Sequence, residues 1–374
     1  MKIAIISEVF LPNIGGMEIR YKELGRTLVK IGHQVELYTF RLNRSDPVQE
    51  NMDGIIVHRI ANAFRYFSSI WGLRNYPDVI VFTLALLQRK RELENFDVIV
   101  FNKWPVIPCL VLPKIIQAKF VVDWCEIYDN LFWGFIYRLM TSATGILHMS
   151  VNQKICDVIQ EKYNVMPQRT KVILSGIESQ EFSCNLNKKQ NKNILFLGRL
   201  AKHKNPEFVI KAFLKGALGS KGYRLDVVGG GPLYSELKRN YGDISNITIH
   251  GNVVDLDKLN FLTQASLLVL PSRREGFPVV CAEASAAGTP TLTVLYPDNG
   301  TVNVVTQFGI GWVANANLDE LAEKIERYGD MNYWEWRPVS RRCVDRARQT
   351  FDWSIVAEEF LEFVNDHKLS GHYN

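Results

Sequence analysis

This 374-residue chain lacks any run of eighteen apolar residues, so nothing in it reads as a membrane-spanning helix. Its opening MKIAIISEVF turns polar too soon for a secretory signal peptide. Six cysteines, Cys109, Cys125, Cys156, Cys184, Cys281 and Cys343, show no C-x-x-C pair and no regular spacing, which excludes a disulfide framework. They predict reduced, mostly buried thiols in a cytoplasmic protein. No His or Cys cluster has metal-ligand spacing, so no metal is expected. No G-x-G-x-x-G falls between Ser7 and Gly16, and no acidic residue closes the strand predicted to end at Phe40. Those two absences exclude a nicotinamide or flavin dinucleotide site. Internal repeats and low-complexity tracts are also missing. Neither charge sign dominates: 44 basic against 39 acidic residues give a net charge of +5. That balance fits anionic partners such as nucleotides or a membrane surface, and no nucleic-acid partner is expected.

What is present is an α/β pattern, written twice. Lys2 to Ser7 is an apolar run behind one lysine, as in a strand buried on both faces. A loop follows from Glu8 to Gly16, then a helix with Leu24, Leu28 and Ile31 on one side, then a strand from Val35 to Phe40. That order opens a parallel sheet. Further strands are predicted at Ile55–His58, Val98–Phe101, Phe120–Val122, Gly145–Met149 and Lys171–Leu174. The polar stretch NLNKKQNKN, residues 185–193, reads as a linker. The pattern restarts at Ile194–Leu197 and continues through Leu225–Val228, Ile247–His250, Leu267–Leu270 and Thr291–Thr293. Two doubly wound, Rossmann-like domains are therefore predicted, at 1–185 and 194–350 with a linker at 186–193, facing a cleft. Ligands in such sheets bind at the carboxyl ends of the strands.

Residues 271–290, PSRREGFPVVCAEASAAGTP, are the most informative segment. Glu275 stands in a loop, Pro278 at the expected first helical position, and Glu283 inside the helix. The amides of Val279 and Val280 then point out of a helix start, where a phosphate is favoured. Glu283 is placed to accept hydrogen bonds from paired sugar hydroxyls. As a whole string, PS-x-x-EGFP-x-x-x-x-EA-x-x-x-G-x-P resembles the signature of the retaining, two-domain glycosyltransferases with a Glu-x7-Glu motif. These are family 4, with the GT-B fold, to which many lipopolysaccharide and polysaccharide enzymes belong. The resemblance runs in patches from Ile3 to Trp353 and is strongest in the second half.

That resemblance implies a metal-independent transfer of a hexosyl or N-acetylhexosaminyl group, with retention, from a UDP- or GDP-linked donor. Gly198-Arg199-Leu200 and Lys204 resemble the family's G-R-x-x-x-x-K element, in which Arg199 and Lys204 would stabilise the departing diphosphate. Glu275 would contact the donor sugar, aided by Gly276, Phe277, Pro278 and Val279, and Glu283 would hold the ribose. The turn Gly229-Gly230-Gly231-Pro232 resembles one that borders the nucleotide, with Gly230 near the ligand. Asn252 and Val253 match the region that meets the nucleobase. Gly15 and Gly16, before Met17 and Glu18, resemble the glycine loop that faces the diphosphate. The final segment, 351–374, is expected to pack back on the first domain.

One departure stands out. Many relatives carry a histidine at the end of a first-domain strand, where this chain reads VVDWCEIYD. Asp123 or Glu126 would occupy that neighbourhood, as a ligand or a base for acceptor hydroxyls, and the register between them stays open. His148 reads as a satisfied core histidine. Asp255-Leu256-Asp257 reads as a polar turn that starts a helix toward Leu259 and Leu262. Asp298, Asn299 and Gly300 are placed to meet sugar hydroxyls. Basic and aromatic residues interleave over 59–94 (Arg59, Arg65, Arg74, Arg89, Lys90 and Arg91 among Phe64, Tyr66, Phe67, Trp71 and Tyr76). Tyr128, Phe132, Trp133, Phe135 and Tyr137 follow. This suits a peripheral contact with anionic membrane at the inner face of the cell membrane. The acceptor implied is a saccharide or lipid-linked sugar in cell-surface polysaccharide biosynthesis. Two other readings stay open: a nucleotide-sugar-binding protein without catalysis, and a nucleotide-sugar epimerase of the same fold.

Overall fold

A computed structural model gives the structure of residues 1–13, 15–63, 76–128, 130–143, 145–182 and 192–367. The expected linker core and the aromatic stretch from Phe64 to Arg74 lie outside these described residues, as does Cys184. The contacts divide the chain into two units, Met1–Leu174 with the residues from Val356 onward, and Ser175–Ile355.

The first unit is built on a sheet of eight strands. These are β1 (Lys2–Ile6), β2 (Gln34–Arg41), β3 (Gln49–Met52), β4 (Ile55–Asn62), β5 (Val98–Asn102), β6 (Lys119–Trp124), β7 (Ile146–Ser150) and β8 (Thr170–Val172). Their order is β3-β4-β2-β1-β5-β6-β7-β8, parallel except for the β3–β4 pair. Ile3, Ala4, Ile5 and Ile6 of β1 are fully buried, and each isoleucine contributes roughly 1.5–3 kcal/mol. Helices α1 (Gly16–Lys30), α2 (Tyr76–Gln88), α3 (Lys90–Leu93), α4 (Val106–Val111), α5 (Leu131–Ser142) and α6 (Gln153–Tyr163) connect the strands. β3 carries no apolar residue except Met52, which is why its sequence, QENM, gave no strand signal. It is held as an antiparallel edge by β4 instead.

The second unit holds β9 (Asn193–Leu197), β10 (Arg224–Val228), β11 (Ile247–Gly251), β12 (Leu267–Leu270), β13 (Arg274–Glu275), β14 (Thr291–Val294), β15 (Asp298–Asn299) and β16 (Gly311–Ala314). Six of them form a parallel sheet ordered β11-β10-β9-β12-β14-β16, and β13 pairs with β15 apart from it. Around these lie α7 (Pro206–Lys215), α8 (Tyr234–Tyr241), α9 (Asp255–Gln264), α10 (Val279–Ala286), α11 (Gly300–Phe308), α12 (Leu318–Gly329) and α13 (Tyr333–Arg346). From β9 the chain first moves outward to β10 and β11, then returns past β9 to β12. The β9–β12 neighbours are therefore a topological switch point, where the strand ends open a crevice.

Helix α14 (Trp353–Asp366) starts in the second unit and ends in the first. Its later residues Val356, Phe360, Phe363 and Val364 are buried. Lys119 donates to the Val364 carbonyl at 2.8 Å and Lys171 to the Glu359 carbonyl at 3.3 Å. Four described cysteines (Cys109, Cys156, Cys281 and Cys343) are buried, and Cys125 is half-buried. Burial pushes the Cys281 thiol up to about 12, which keeps it inert at neutral pH.

Candidate active site

The carboxyl ends of β9 and β12 bring together residues 71 positions apart in sequence. Lys204 follows β9, Glu275 follows β12, and Lys204 Nζ forms an ion pair with Glu275 Oε2. Glu275 is fixed from below by pairing of β13 with β15, in the register Arg274–Asp298 and Glu275–Asn299. Gly300 begins α11 so close to this strand that a Cβ there would collide with the Gly276 carbonyl. Gly276, Phe277 and Pro278 carry the chain from β13 to α10. Pro278 is the N-cap residue and Val279 the first helical one, a shift of one from the expectation. The reason is that Cys281 N–H closes onto the Pro278 carbonyl at 2.8 Å, so the helix begins after the proline. α10 has no side-chain cap, which leaves the amides of Val279 and Val280 at its start.

Glu283 lies one turn into α10 and is only 9% exposed. Its Oε1 receives Lys258 Nζ at 2.5 Å from α9. Each glutamate of the motif thus has its own lysine. Arg199 is exposed and, among the described residues, makes no ion pair. His203 stands between Arg199 and Lys204. Partial burial and then the Lys204 charge push its imidazole below the usual range, so it stays neutral at pH 7.

The glycine turn is packed by its own neighbours. Gly198 N–H donates to Val228 O at 3.0 Å, Leu200 N–H to Gly230 O at 2.8 Å, and Gly229 N–H to Gly251 O at 2.8 Å. A Cβ on Gly229 would strike the Gly198 carbonyl, and one on Gly230 the Asn252 side chain. These glycines let three strand ends knit together, and Gly198 alone of the set faces open space. Asn252 is exposed and Val253 half-buried just beyond β11. Asp255 and Asp257 sit in the first turn of α9, where the helix dipole favours them.

Several expectations are corrected. Asp123, at the end of β6, is fully buried and cannot meet an acceptor. Its Oδ2 accepts from Arg20 Nε at 2.8 Å, and the same guanidinium donates to the Leu174 and Ile173 carbonyls at 2.6 and 2.9 Å. Burial pushes the Asp123 carboxyl up, against the pull of Arg20. The pair anchors α1 to the sheet. Glu126 is the exposed carboxylate of that region, bonded to the Tyr128 hydroxyl at 2.6 Å. Gly15 is the N-cap residue of α1 and Gly16 its first residue, but the Glu18 carboxylate folds back over Gly15 and occupies the helix start. Burial pushes Glu18 up, opposed by the backbone amides of Glu18 and Gly15. Asn299 does not offer its side chain to a sugar. It is buried, donates to Thr293 Oγ1 at 2.9 Å and Val294 O at 2.8 Å, and accepts from Thr301 N–H. Arg59 and Tyr137, expected on a surface, are buried. His148 is a core residue, with Nδ1 accepting from Trp124 Nε1 at 3.1 Å, but among the described residues its Nε2 has no partner.

A chain with two such α/β units has known counterparts. A family model described as glycosyl transferases group 1 matches residues 178–350, and one described as glycosyltransferase family 4 matches residues 14–181. The O-antigen biosynthesis glycosyltransferase WbnH of Escherichia coli is 30% identical over 300 residues, covering 74% of this chain and 81% of that protein. The chain belongs to glycosyltransferase family 4. An uncharacterized glycosyltransferase of Methanocaldococcus jannaschii, MJ1607, is 25% identical over 99% of this chain and 98% of its own. Among solved structures, Anabaena Alr3699/HepE in complex with UDP-glucose matches with a TM-score of 0.74 at 15% identity, covering 98% of this chain and 100% of its own. The fold of this glycosyltransferase is therefore GT-B.

In this family 4 member, sequence reasoning missed Lys258, which lies 25 positions before Glu283, since nothing in the intervening sequence signals that α9 and α10 pack side by side. It also missed β15 as the support of Glu275. Asn299 followed by glycine is a helix-cap signal that could have revealed it.

Proposed function

We propose that this glycosyltransferase is a hexosyl- or N-acetylhexosaminyltransferase acting with retention on a UDP- or GDP-linked donor. Its acceptor is a saccharide or lipid-linked sugar in cell-surface polysaccharide biosynthesis. The observation that carries the reading is the Lys204–Glu275 pair at the switch point, beside an exposed Arg199 and an uncapped α10. Arg199 and Lys204 supply the charge that a departing nucleoside diphosphate needs, so the transfer itself calls for no divalent ion. The first amides of α10 add to that field. Glu283 takes the ribose hydroxyls on release from Lys258, with Gly198, Gly230, Asn252 and Val253 beside the nucleoside. Glu275 orients the donor sugar; its charge is balanced by Lys204, which favours a binding role over a nucleophilic one. In that case the sugar–phosphate bond breaks and the acceptor–sugar bond forms on the same face. The acceptor proton passes to the departing phosphate oxygen. The O-antigen role named for WbnH and the UDP-glucose named for HepE support the acceptor and donor classes.

We further propose a peripheral contact with anionic membrane through the exposed faces of α2 and α5. No helix among the described residues is long and apolar enough to cross a membrane.

The deciding experiment is a thermal-shift panel of UDP-, GDP- and ADP-sugars, followed by donor turnover. One nucleotide class is expected to raise Tm selectively, and Glu275→Ala to lose at least about 100-fold in kcat/KM while keeping wild-type circular dichroism. Wild-type turnover by that variant would sink the assignment. A selective shift with no nucleotide release by the wild type would instead favour a binding protein without catalysis.

A further inference from the structure

Away from the strand ends that carry the transfer site, three side chains of the first unit converge on one face of the sheet. Glu36 and Tyr38 lie two apart on β2 and so share that face, and His58 on β4 is the register partner of Tyr38. Glu92 is brought over them by the short helix α3. His58 Nε2 lies 2.6 Å from Glu36 Oε2, and the Tyr38 hydroxyl donates to Glu92 Oε1 at 2.6 Å. The Tyr38 ring stacks on the His58 imidazole, with centroids 4.8 Å apart and planes 13° from parallel. The possible ligand atoms of Glu36, His58 and Glu92 all lie within 4.8 Å of one another; Glu36 and His58 are half-buried, and Glu92 closes the group from the solvent side.

Charge makes this cluster unusual. Among the described residues no lysine or arginine pairs with Glu36 or Glu92, so His58 is the only basic group against two carboxylates. Two carboxylates therefore converge on a single imidazole, and a cation bound among the three would offset their mutual repulsion. One nitrogen and two carboxylate oxygens are a zinc-type donor set, whereas magnesium and calcium take oxygen ligands alone. Closing on an ion at about 2.0–2.2 Å requires side-chain shifts on the order of 1 Å. Tyr38 already holds the other parts in place: its hydroxyl orients Glu92 and its ring fixes His58. Outer partners of this kind orient metal ligands.

We propose that Glu36, His58 and Glu92 form a divalent transition-metal site, best suited to zinc, that ties α3 to strands β2 and β4 of the first sheet. The site is structural, lies apart from the sugar-transfer chemistry, and is independent of the proposed function.

Zinc chloride titrated into the chelator-treated full-length protein tests it, read by calorimetry and by Tm. About one equivalent is expected to bind and to raise Tm, with Co2+ giving visible absorption bands and a hundredfold excess of Mg2+ failing to compete. His58→Ala and Glu92→Gln should each weaken binding at least about tenfold, and Tyr38→Phe should do so while leaving the three ligands in place. Glu92→Gln preserves the acceptor for Tyr38, so it keeps the test valid if another variant misfolds. No saturable zinc binding by the wild type, or unchanged affinity in folded Glu92→Gln and His58→Ala, would overturn the proposal. The second result would point to adventitious thiol or surface binding.

Discussion

At the scale of single residues, burial decides what a titratable group does. Glu275 and Glu283 belong to one motif, yet each is neutralised by a lysine from a different element. Asp123 and Glu126 look interchangeable in VVDWCEIYD, but one is sealed against Arg20 and the other is exposed. The sequence could not separate them, because a one-residue change of register sends a strand side chain to the opposite face. His148 shows the same logic in stability. Burial, and then Arg169, push its imidazole down to about 3, against about 6.5 in an unfolded chain. Between those values the unfolded state binds the proton and the folded state does not. Stability is therefore intact above about pH 6.5 and falls by up to about 1.4 kcal/mol per pH unit as pH drops below it. His148→Gln keeps an acceptor for Trp124 and should flatten that part of the slope. Urea denaturation at a series of pH values from 7 to 4.5 measures it, and parallel wild-type and variant slopes would refute the assignment.

Secondary elements were legible wherever one buried face repeats at a fixed period. All twelve strands read from the sequence are present: those such as β1, β5 and β12 are buried on both faces and so are continuous apolar runs, and β4 and β11 alternate between buried and half-buried residues. β3, β13, β15 and β16 were not read. β3 is polar, β13 and β15 are two residues long, and β16 is a short edge strand. Helix starts divide into two kinds. Asparagine side chains cap α5, α6, α11, α12 and α13, whereas α1, α9 and α10 have no cap from the N-cap side chain. α10 is the one that opens beside Glu275. Its position depends on the close approach of α11 at Gly300. Gly300→Ala should push the Gly276 carbonyl away and misplace Glu275 by up to about 1 Å, costing about 10- to 100-fold in kcat/KM. Steady-state donor turnover checks this, and an unchanged kcat/KM would show that β13 is not the support of Glu275.

For the whole molecule, both units expose large hydrophobic residues, and those of the first unit gather on two helices. In the first, Leu131 is 96% exposed, and Phe132, Phe135 and Leu139 follow it along one side of α5. Ile80, Val81 and Leu84 are exposed on α2. The proposed membrane contact predicts that Phe132→Ser/Phe135→Ser protein loses most of its sedimentation with anionic liposomes while keeping donor turnover in solution. Equal, negligible pelleting of wild type with anionic and neutral liposomes would remove the contact. The two α/β patterns, the Glu275-to-Glu283 segment and the family itself were all fixed by sequence, because each is a local pattern whose spacing the backbone preserves. Only the tertiary structure decided that Lys258 holds Glu283, that Asn299 supports rather than contacts, that Asp123 is sealed by Arg20, and that Glu36, His58 and Glu92 meet. Those outcomes depend on distances between elements far apart in the chain. No local periodicity encodes such distances; packing sets them.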